Sequence, residues 1–401
     1  MISRRDLLTT GAAATVAASA ALPALADDMP GISAKEIRIG QTMPYSGPAS
    51  AYGIIGRTEV AFFNMINAQG GINGRKVKLI SLDDGYSPPK AVEDIRRLVE
   101  QEKVAFIFQS LGTPSNAAIM KYLNSAKIPQ LFVATGAAIF SDPKHNPWTM
   151  GFNPNYQSEA AIYAKHILAN TPNAKIGVLY QNDDFGQDYL TGMKSVLTGD
   201  KAKMITKTVS YEVSEPTVDS QIVTLQGAGV DVMVFAATPK FGAQAVHKSS
   251  AVGFKGVRYI SNVSAAYPIL KAAGLDAAKG VFTAGYVKDT SDPVLAKDPG
   301  YMEWAAFCAK YMDKNALVDG NAAYGYAAAQ TMLQVLKQCG NDLSRANILK
   351  QAQSLKDFTC ATLLPGIKLN TSATNYSPIR SLQIQNFDGA HWKSVGGLIA
   401  S

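Results

Sequence analysis

Short apolar runs alternate with amphipathic stretches along almost the whole chain, and this rhythm constrains the fold more than any other feature. Residues 37–41, 76–82, 104–108 and 129–133 read as strands. Between them, 58–68, 89–102 and 115–126 read as helices, the first closed by Gly70 and Gly71. Continuous apolar runs such as VAFIF at 104–108 suit strands covered on both faces, so an α/β fold with a doubly wound parallel sheet is expected.

The rhythm pauses over 142–155, a stretch rich in proline and turn residues that reads as a lobe boundary. It resumes with strands at 175–180, 204–211, 230–236 and 257–261 and helices at 157–168, 188–197, 218–228 and 242–251, predicting a second doubly wound lobe. Further on, 280–284 is strand-like, 324–338 and 344–355 are helical, and 381–392 alternates like an antiparallel hairpin turning at 386–391.

The first 26 residues read as a twin-arginine export signal. Arg4 and Arg5 precede an alanine-rich run of about 16 residues, too short for a bilayer span, and Ala24-Leu25-Ala26 forms a cleavage site before Asp27. No cysteine follows for lipid attachment, so the mature chain is expected free in the periplasm with no membrane insertion of its own. Its 401 − 26 = 375 residues suit two lobes. Arg4, Arg5 and Asp6 contribute +1 of the formal +7, leaving a mild excess of +6 without basic runs, which argues against a nucleic-acid partner. Of the three cysteines, Cys308 reads as buried and apolar, while Cys339 and Cys360 could pair or stay free. The cysteines and four histidines show no metal-ligand spacing, and no metal or cofactor is expected.

In open parallel sheets, ligands bind beyond the carboxyl ends of the strands. Those loops carry the candidate site: Tyr45 and Ser46; Ser110, Leu111, Gly112 and Thr113; Ala134, Thr135 and Gly136; Phe152 and Tyr156; Phe185; Thr238; Asn262 and Ser264. Glycine and small hydroxyl residues ahead of a helix leave N–H groups free for an anion, although Ser and Thr there also serve simply as N-caps. Aromatic residues in and beside the loops, Tyr52 and Tyr267 among them, favour an apolar or aromatic ligand. No GxSxG, HExxH, P-loop or GxGxxG pattern occurs. The Ser87-Pro88-Pro89-Lys90 match to SxxK lacks its partner motifs, so an enzyme is not expected.

The segments IRIGQTMPYSGPASAYG at 37–53, GGINGRKV at 70–77, LISLDDGYSPPKAVE at 79–93, SLGTPSNAA at 110–118, IPQLFVATGA at 128–137 and KIGVLYQNDDFG at 175–186 carry a resemblance. In them the chain resembles the leucine/isoleucine/valine-binding branch of periplasmic solute-binding proteins, from about Ile37 to Trp392. The resemblance implies two lobes joined by three crossovers, with 27–148 and 282–357 in lobe one and 149–281 and 358–401 in lobe two. It also implies a monomer that delivers a small carboxylate ligand to an ABC permease in the inner membrane. Family contacts to the ligand carboxylate fall on Thr113 and on Ala134, Thr135 and Gly136, with Phe185 and Thr238 on the facing lobe.

One departure bears on the ligand. Amino-acid binders of this family place a glutamate after the strand ending here at Ile260, against the ligand ammonium, whereas this chain reads Ser261-Asn262-Val263-Ser264. Burying an ammonium without a counter-charge would cost several kcal/mol, unless Asp183 or Asp184 substitutes. The expectation is an aromatic acid resembling benzoate or a hydroxycinnamate. A branched-chain amino acid is the alternative ligand, and presentation to a sensor the alternative to transport.

Overall fold

The structure is a computed structural model and describes residues 29–400; the export signal and its cleavage site lie outside them. The first sheet is built from β1 (Glu36–Met43), β2 (Lys76–Asp83), β3 (Phe106–Phe108), β4 (Gln130–Val133) and β5 (Thr149–Gly151). Its helices are α1 (Gly53–Ala68), α2 (Pro88–Arg96), which contains Lys90, and α3 (Thr113–Ser125). The strands are parallel in the order β2-β1-β3-β4-β5. The strand β5 falls inside the proline-rich pause. Its backbone pairs with β4 even though its three residues are too few to show a period.

The second sheet repeats that order. After α4 (Tyr156–Asn170) come β6 (Ile176–Gln181), α5 (Asp184–Val196), β7 (Ile205–Tyr211), α6 (Asp219–Gly227), β8 (Val232–Ala236) and α7 (Pro239–Ala251). Then follow β9 (Val257–Ile260), α8 (Tyr267–Ala273), α9 (Leu275–Ala278) and β10 (Val281–Gly285). The order β7-β6-β8-β9-β10 is extended by the antiparallel strands β11 (Ser381–Phe387), β12 (Trp392–Ser394) and β13 (Ile399–Ala400). Between β10 and β11 the chain returns to the first lobe as α10 (Pro299–Tyr311), α11 (Gly320–Gln338) and α12 (Arg345–Ala352). It therefore crosses three times, after β5, after β10 and after α12. Sheet pairing keeps Thr149–Gly151 with the first lobe and Val281–Gly285 with the second.

Burial follows the apolar runs. Phe106, Ile107 and Phe108 of β3 and all of β8 are buried, as parallel strands covered on both faces must be. The helix α11 seats on α1 through Tyr326 against Phe62, ring centres 5.2 Å apart and edge to face, with Trp304 and Phe307 of α10 stacked beside them. Helix starts differ from the sequence reading where a cap lies upstream. Asp183 accepts from the N–H groups of Phe185 (3.0 Å) and Gly186 (3.3 Å), so α5 begins at Asp184 rather than 188. Asp319 likewise accepts from Asn321 N–H (2.9 Å) and starts α11 at Gly320.

The possible disulfide is not formed, and all three cysteines are buried free thiols. Cys360 Sγ lies 3.5 Å from both Thr331 Oγ1 and Ala327 O on α11. Cys339 follows the end of the same helix, about 12 Å along the axis from Thr331. Bridgeable residues have Cα atoms within about 7 Å. Thiol titration of the denatured protein should thus give three thiols per chain before and after reductant; one thiol before and three after would show a bridge.

Candidate functional site

Both sheets have the order 2-1-3-4-5, which places a crevice where neighbouring loops leave in opposite directions, between β1 and β3 and between β6 and β8. The strand ends of the two lobes face one another there and line a single cleft. Its atom-free space, open mouth included, is about 900 Å³, the size of a small organic ligand site.

The lobe-one wall is the N-terminus of α3. Gly112 caps it with φ 101° and no side chain caps it, unlike α4, α5, α11 and α12. A Cβ at Gly112 would sit 2.6 Å from the Tyr86 ring, so only glycine lets that ring close over the helix end. Pro114 has no N–H to leave unpaired, and the first helical bond runs from Asn116 N–H to Gly112 O (3.1 Å). The N–H groups of Thr113 and Ser115 precede it, at the positive end of the helix dipole. Thr113 Oγ1 and Thr135 Oγ1 are 2.7 Å apart, and Thr135 Oγ1 is 3.4 Å from Tyr156 OH. Either threonine can be the donor in the Thr113–Thr135 pair, so with Thr135 donating to Thr113 the Thr113 O–H is free to donate to an anion.

Rings enclose the rest. Tyr156 and Phe185 of lobe two have centres 4.8 Å apart, with Tyr189 behind both. Tyr52, Tyr86 and Tyr324 approach from lobe one, and Tyr267, Tyr286 and Trp392 complete the lining. Tyr86 holds a left-handed φ of 63° and accepts from Gln181 Nε2 across the cleft at 3.3 Å. The Tyr324 hydroxyl is fixed 2.6 Å from Asn153 Oδ1 and 3.1 Å from Gln109 Oε1.

Beneath Asn262 lies a buried carboxylate. Glu159, on the first turn of α4, is fully buried and accepts from Asn262 N–H (2.8 Å), Asn262 Nδ2 and Tyr163 OH (2.5 Å). Burial pushes its carboxyl from the usual 4.5 up to about 7, against the opposing pull of these donors. Lys288 and Asp289 also line the cleft, each engaged elsewhere. Lys288 Nζ donates to Asp298 (2.5 Å) and Ala361 O (2.8 Å). Asp289 Oδ1 accepts from Ser291 and Oδ2 from Trp392 N–H (2.8 Å). Among the described residues, no group of three or more His, Cys, Asp or Glu could hold a metal ion.

Nine of the fifteen candidate site residues meet in this lining, Leu111, Gly112, Thr113, Ala134, Thr135, Tyr156, Phe185, Thr238 and Asn262, together with the loop aromatics Tyr52 and Tyr267. Six stand outside it. Tyr45 packs over α1 with its hydroxyl on Ser81 (2.7 Å), and exposed Ser46 donates its N–H to Asp83. Ser110 Oγ accepts from Thr42 N–H (3.0 Å), tying β3 to β1. Gly136 stands under Pro154 O and the Tyr156 ring, where a Cβ would lie 2.2 and 2.8 Å from them. Phe152 backs Tyr324 at 5.7 Å, and Ser264 Oγ donates to Ala237 O (2.6 Å). Asp183 caps α5 and takes Gln181 Nε2, and Asp184 is exposed, so neither lines the cleft. Sequence reasoning did not single out Tyr86, Tyr286, Tyr324, Trp392, Lys288 and Asp289. Tyr86 sits in a loop that strand order already marked, and the other five come from the return segments, where the strand-end rule gives no signal.

A family model described as "Periplasmic binding protein" matches residues 36–391. "Leu/Ile/Val-binding protein homolog 7" of Brucella abortus (strain 2308) is 23% identical over 375 residues, covering 89% of this chain and 89% of its own. A solved branched-chain amino acid ABC transporter protein from Thermus thermophilus with bound valine superposes with TM-score 0.83 at 15% identity, covering 92% of this chain and 98% of its own. A fatty acid ABC transporter substrate-binding protein from Thermomonospora curvata does so with TM-score 0.77 at 20% identity, covering 93% and 94%. These structural likenesses show the fold, two lobes of the type I periplasmic binding class.

Glu159 gives the site a pH signature. Its folded carboxyl titrates above the unfolded one, so its stabilising share is complete below pH 4.5 and lost as pH rises through about 7. Asp84 and Asp319, raised to about 6, act in the same direction. Between pH 5 and 8 the Glu159 share falls by on the order of 2 kcal/mol. Glu159→Gln should therefore flatten the fall in melting temperature over that range; an unchanged slope would show that Glu159 does not titrate between pH 5 and 8.

Proposed function

Because the chain belongs to the periplasmic binding protein family, we propose that it captures an aromatic monocarboxylate between its lobes and presents it to an ABC permease. Family membership makes it a solute-binding protein of ABC transport, working in the periplasm, and not an enzyme. Among the described residues no helix is long and apolar enough to cross a membrane. The proposal adds the ligand class, cleavage after Ala26, action as a monomer, and lobes exchanging the chain between β5 and α4, after β10, and between α12 and β11 rather than at 148, 281 and 357.

The observation that carries this reading is the contrast between the two walls. Lobe one offers free N–H and hydroxyl donors at an uncapped helix end, matching a carboxylate. Lobe two offers an ammonium group no free carboxylate: Asp289 has both oxygens engaged, and Glu159 is covered by Asn262. An ammonium buried there would lose several kcal/mol of hydration without a charged partner. The rings of Tyr156, Phe185, Tyr86 and Tyr324 supply flat apolar surface of the kind that encloses another ring. The fatty acid binder named above shares the requirement for a carboxylate without an ammonium, whereas the valine-bound neighbour represents the competing class.

A thermal-shift comparison of benzoate and cinnamate derivatives with leucine, isoleucine, valine and phenylalanine decides the ligand class. Aromatic acids should stabilise more, and the matching amide should lose most of the shift; a larger shift with leucine or valine than with every aromatic acid overturns the reading. Thr113→Val keeps the volume and removes the donor. It should weaken binding of the best aromatic acid by about 1.5 to 3 kcal/mol, more than tenfold, in titration calorimetry. Equal affinities would remove Thr113 from the carboxylate site.

A further inference from the structure

The turn that follows β9 displays one side chain in a fixed orientation. Ser264 Oγ holds the turn to Ala237 O, and Tyr189 OH holds its start through Ser261 Oγ (2.6 Å). Tyr163 OH, which accepts from Ala284 N–H, donates its one proton to Glu159 and fixes that carboxylate. Ionised, as it is above pH 7, Glu159 only accepts, so it must then face the nitrogen of the Asn262 amide and not the oxygen. The amide cannot turn over without setting oxygen against oxygen. Asn262 lines the cleft, and its Oδ1 is a buried acceptor with no partner in the protein.

A buried, fixed and unpartnered acceptor in a ligand site asks for a donor from the ligand. We propose that Asn262 Oδ1 accepts a hydrogen bond from a ring hydroxyl of the bound acid, with Glu159 as the positioning residue that fixes the amide. This rests on the aromatic-acid reading and narrows it to hydroxylated aromatic acids, held by the carboxylate at lobe one and by the hydroxyl at lobe two. An acid without the hydroxyl leaves Oδ1 desolvated and unpaired, the kind of omission that such sites reject strongly.

Affinities of benzoate, 3-hydroxybenzoate, 4-hydroxybenzoate, cinnamate and 4-hydroxycinnamate for the wild type, Asn262→Ala and Glu159→Gln test this. In the wild type, the best hydroxylated acid should bind at least about tenfold tighter than its unsubstituted parent. In Asn262→Ala the ratio should fall to near one while the parent's own affinity changes less than about threefold. Glu159→Gln should also lower the ratio, which general loosening of the lobe would not do, since that weakens both acids together. Equal binding of hydroxylated and parent acids by the wild type overturns the proposal, whether or not the variants fold, as does a ratio that survives Asn262→Ala. Failure of the underlying reading looks different: no aromatic acid binds and leucine or valine does, with Asn262 Oδ1 then facing an ammonium.

Discussion

A parallel sheet covered by helices on both faces leaves a ligand only the strand ends to reach, and this constraint places everything else in the molecule. Each strand end is followed by a loop and then by the N-terminus of a helix, where N–H groups lack intrahelical partners. In α4, α5, α10, α11 and α12 an Asn, Asp or Ser side chain satisfies some of those groups, and in α3 they are left to Gly112 and whatever approaches it. Because both lobes use the same strand order, their crevices face across one gap, and the three crossings let the lobes act as two walls.

The alternation of short apolar runs gave the α/β class and nearly every strand, because burial on both faces leaves an unambiguous composition in β3 and β8. It failed where length or chemistry hid the pattern. The strand β5 has three residues, and α5 starts with Asp183-Asp184-Phe185-Gly186, which reads as a turn until Asp183 is seen to cap it. In the site, the strand-end rule brought Leu111, Gly112, Thr113, Ala134 and Thr135 to the cleft, since these follow β3 and β4 directly. It could not place residues whose positions depend on packing. Tyr45 lies in a strand-end loop yet turns back over α1, while Tyr324 reaches the cleft from the second turn of α11, nearly two hundred residues beyond β4. Glu159 gave no signal, because Tyr163 lies one turn along its own helix but Asn262 is brought to it only by packing, from 103 residues away.

Polar groups buried around the cleft come in connected sets. Gln181, Tyr211 and Thr238 share hydrogen bonds of 3.0 to 3.3 Å on lobe two, as Thr113, Thr135 and Tyr156 do across the gap. Such networks fix orientation more than they stabilise, since each bond replaces one to water and nets about 1 kcal/mol. Their effect is specificity. A hydroxyl or amide that cannot rotate presents one donor or one acceptor, and a ligand with the opposite pattern leaves a buried group unpaired at a cost of about 1 to 3 kcal/mol.

The direct polar contacts between the lobes are few and modest. They include Gln181 Nε2 on Tyr86 OH at 3.3 Å, Ala138 N–H on Asp188 at 2.7 Å, Thr135 Oγ1 on Tyr156 OH at 3.4 Å and Tyr156 N–H on Gly136 O at 2.9 Å. Contacts of this kind net about 1 kcal/mol each, too little to hold two lobes together against solvent in the cleft. A ring enclosed between Tyr156 and Phe185 on one side and Tyr86 on the other removes apolar surface from both lobes at once. At roughly 25 cal/mol per Å² that term exceeds these four hydrogen bonds once about 160 Å² is covered. On the proposed reading, a ligand that touches both walls favours the form in which the walls approach, and its differential affinity for that form sets that form's population. Recognition and closure are then one event, which is what a permease needs in order to tell loaded protein from empty.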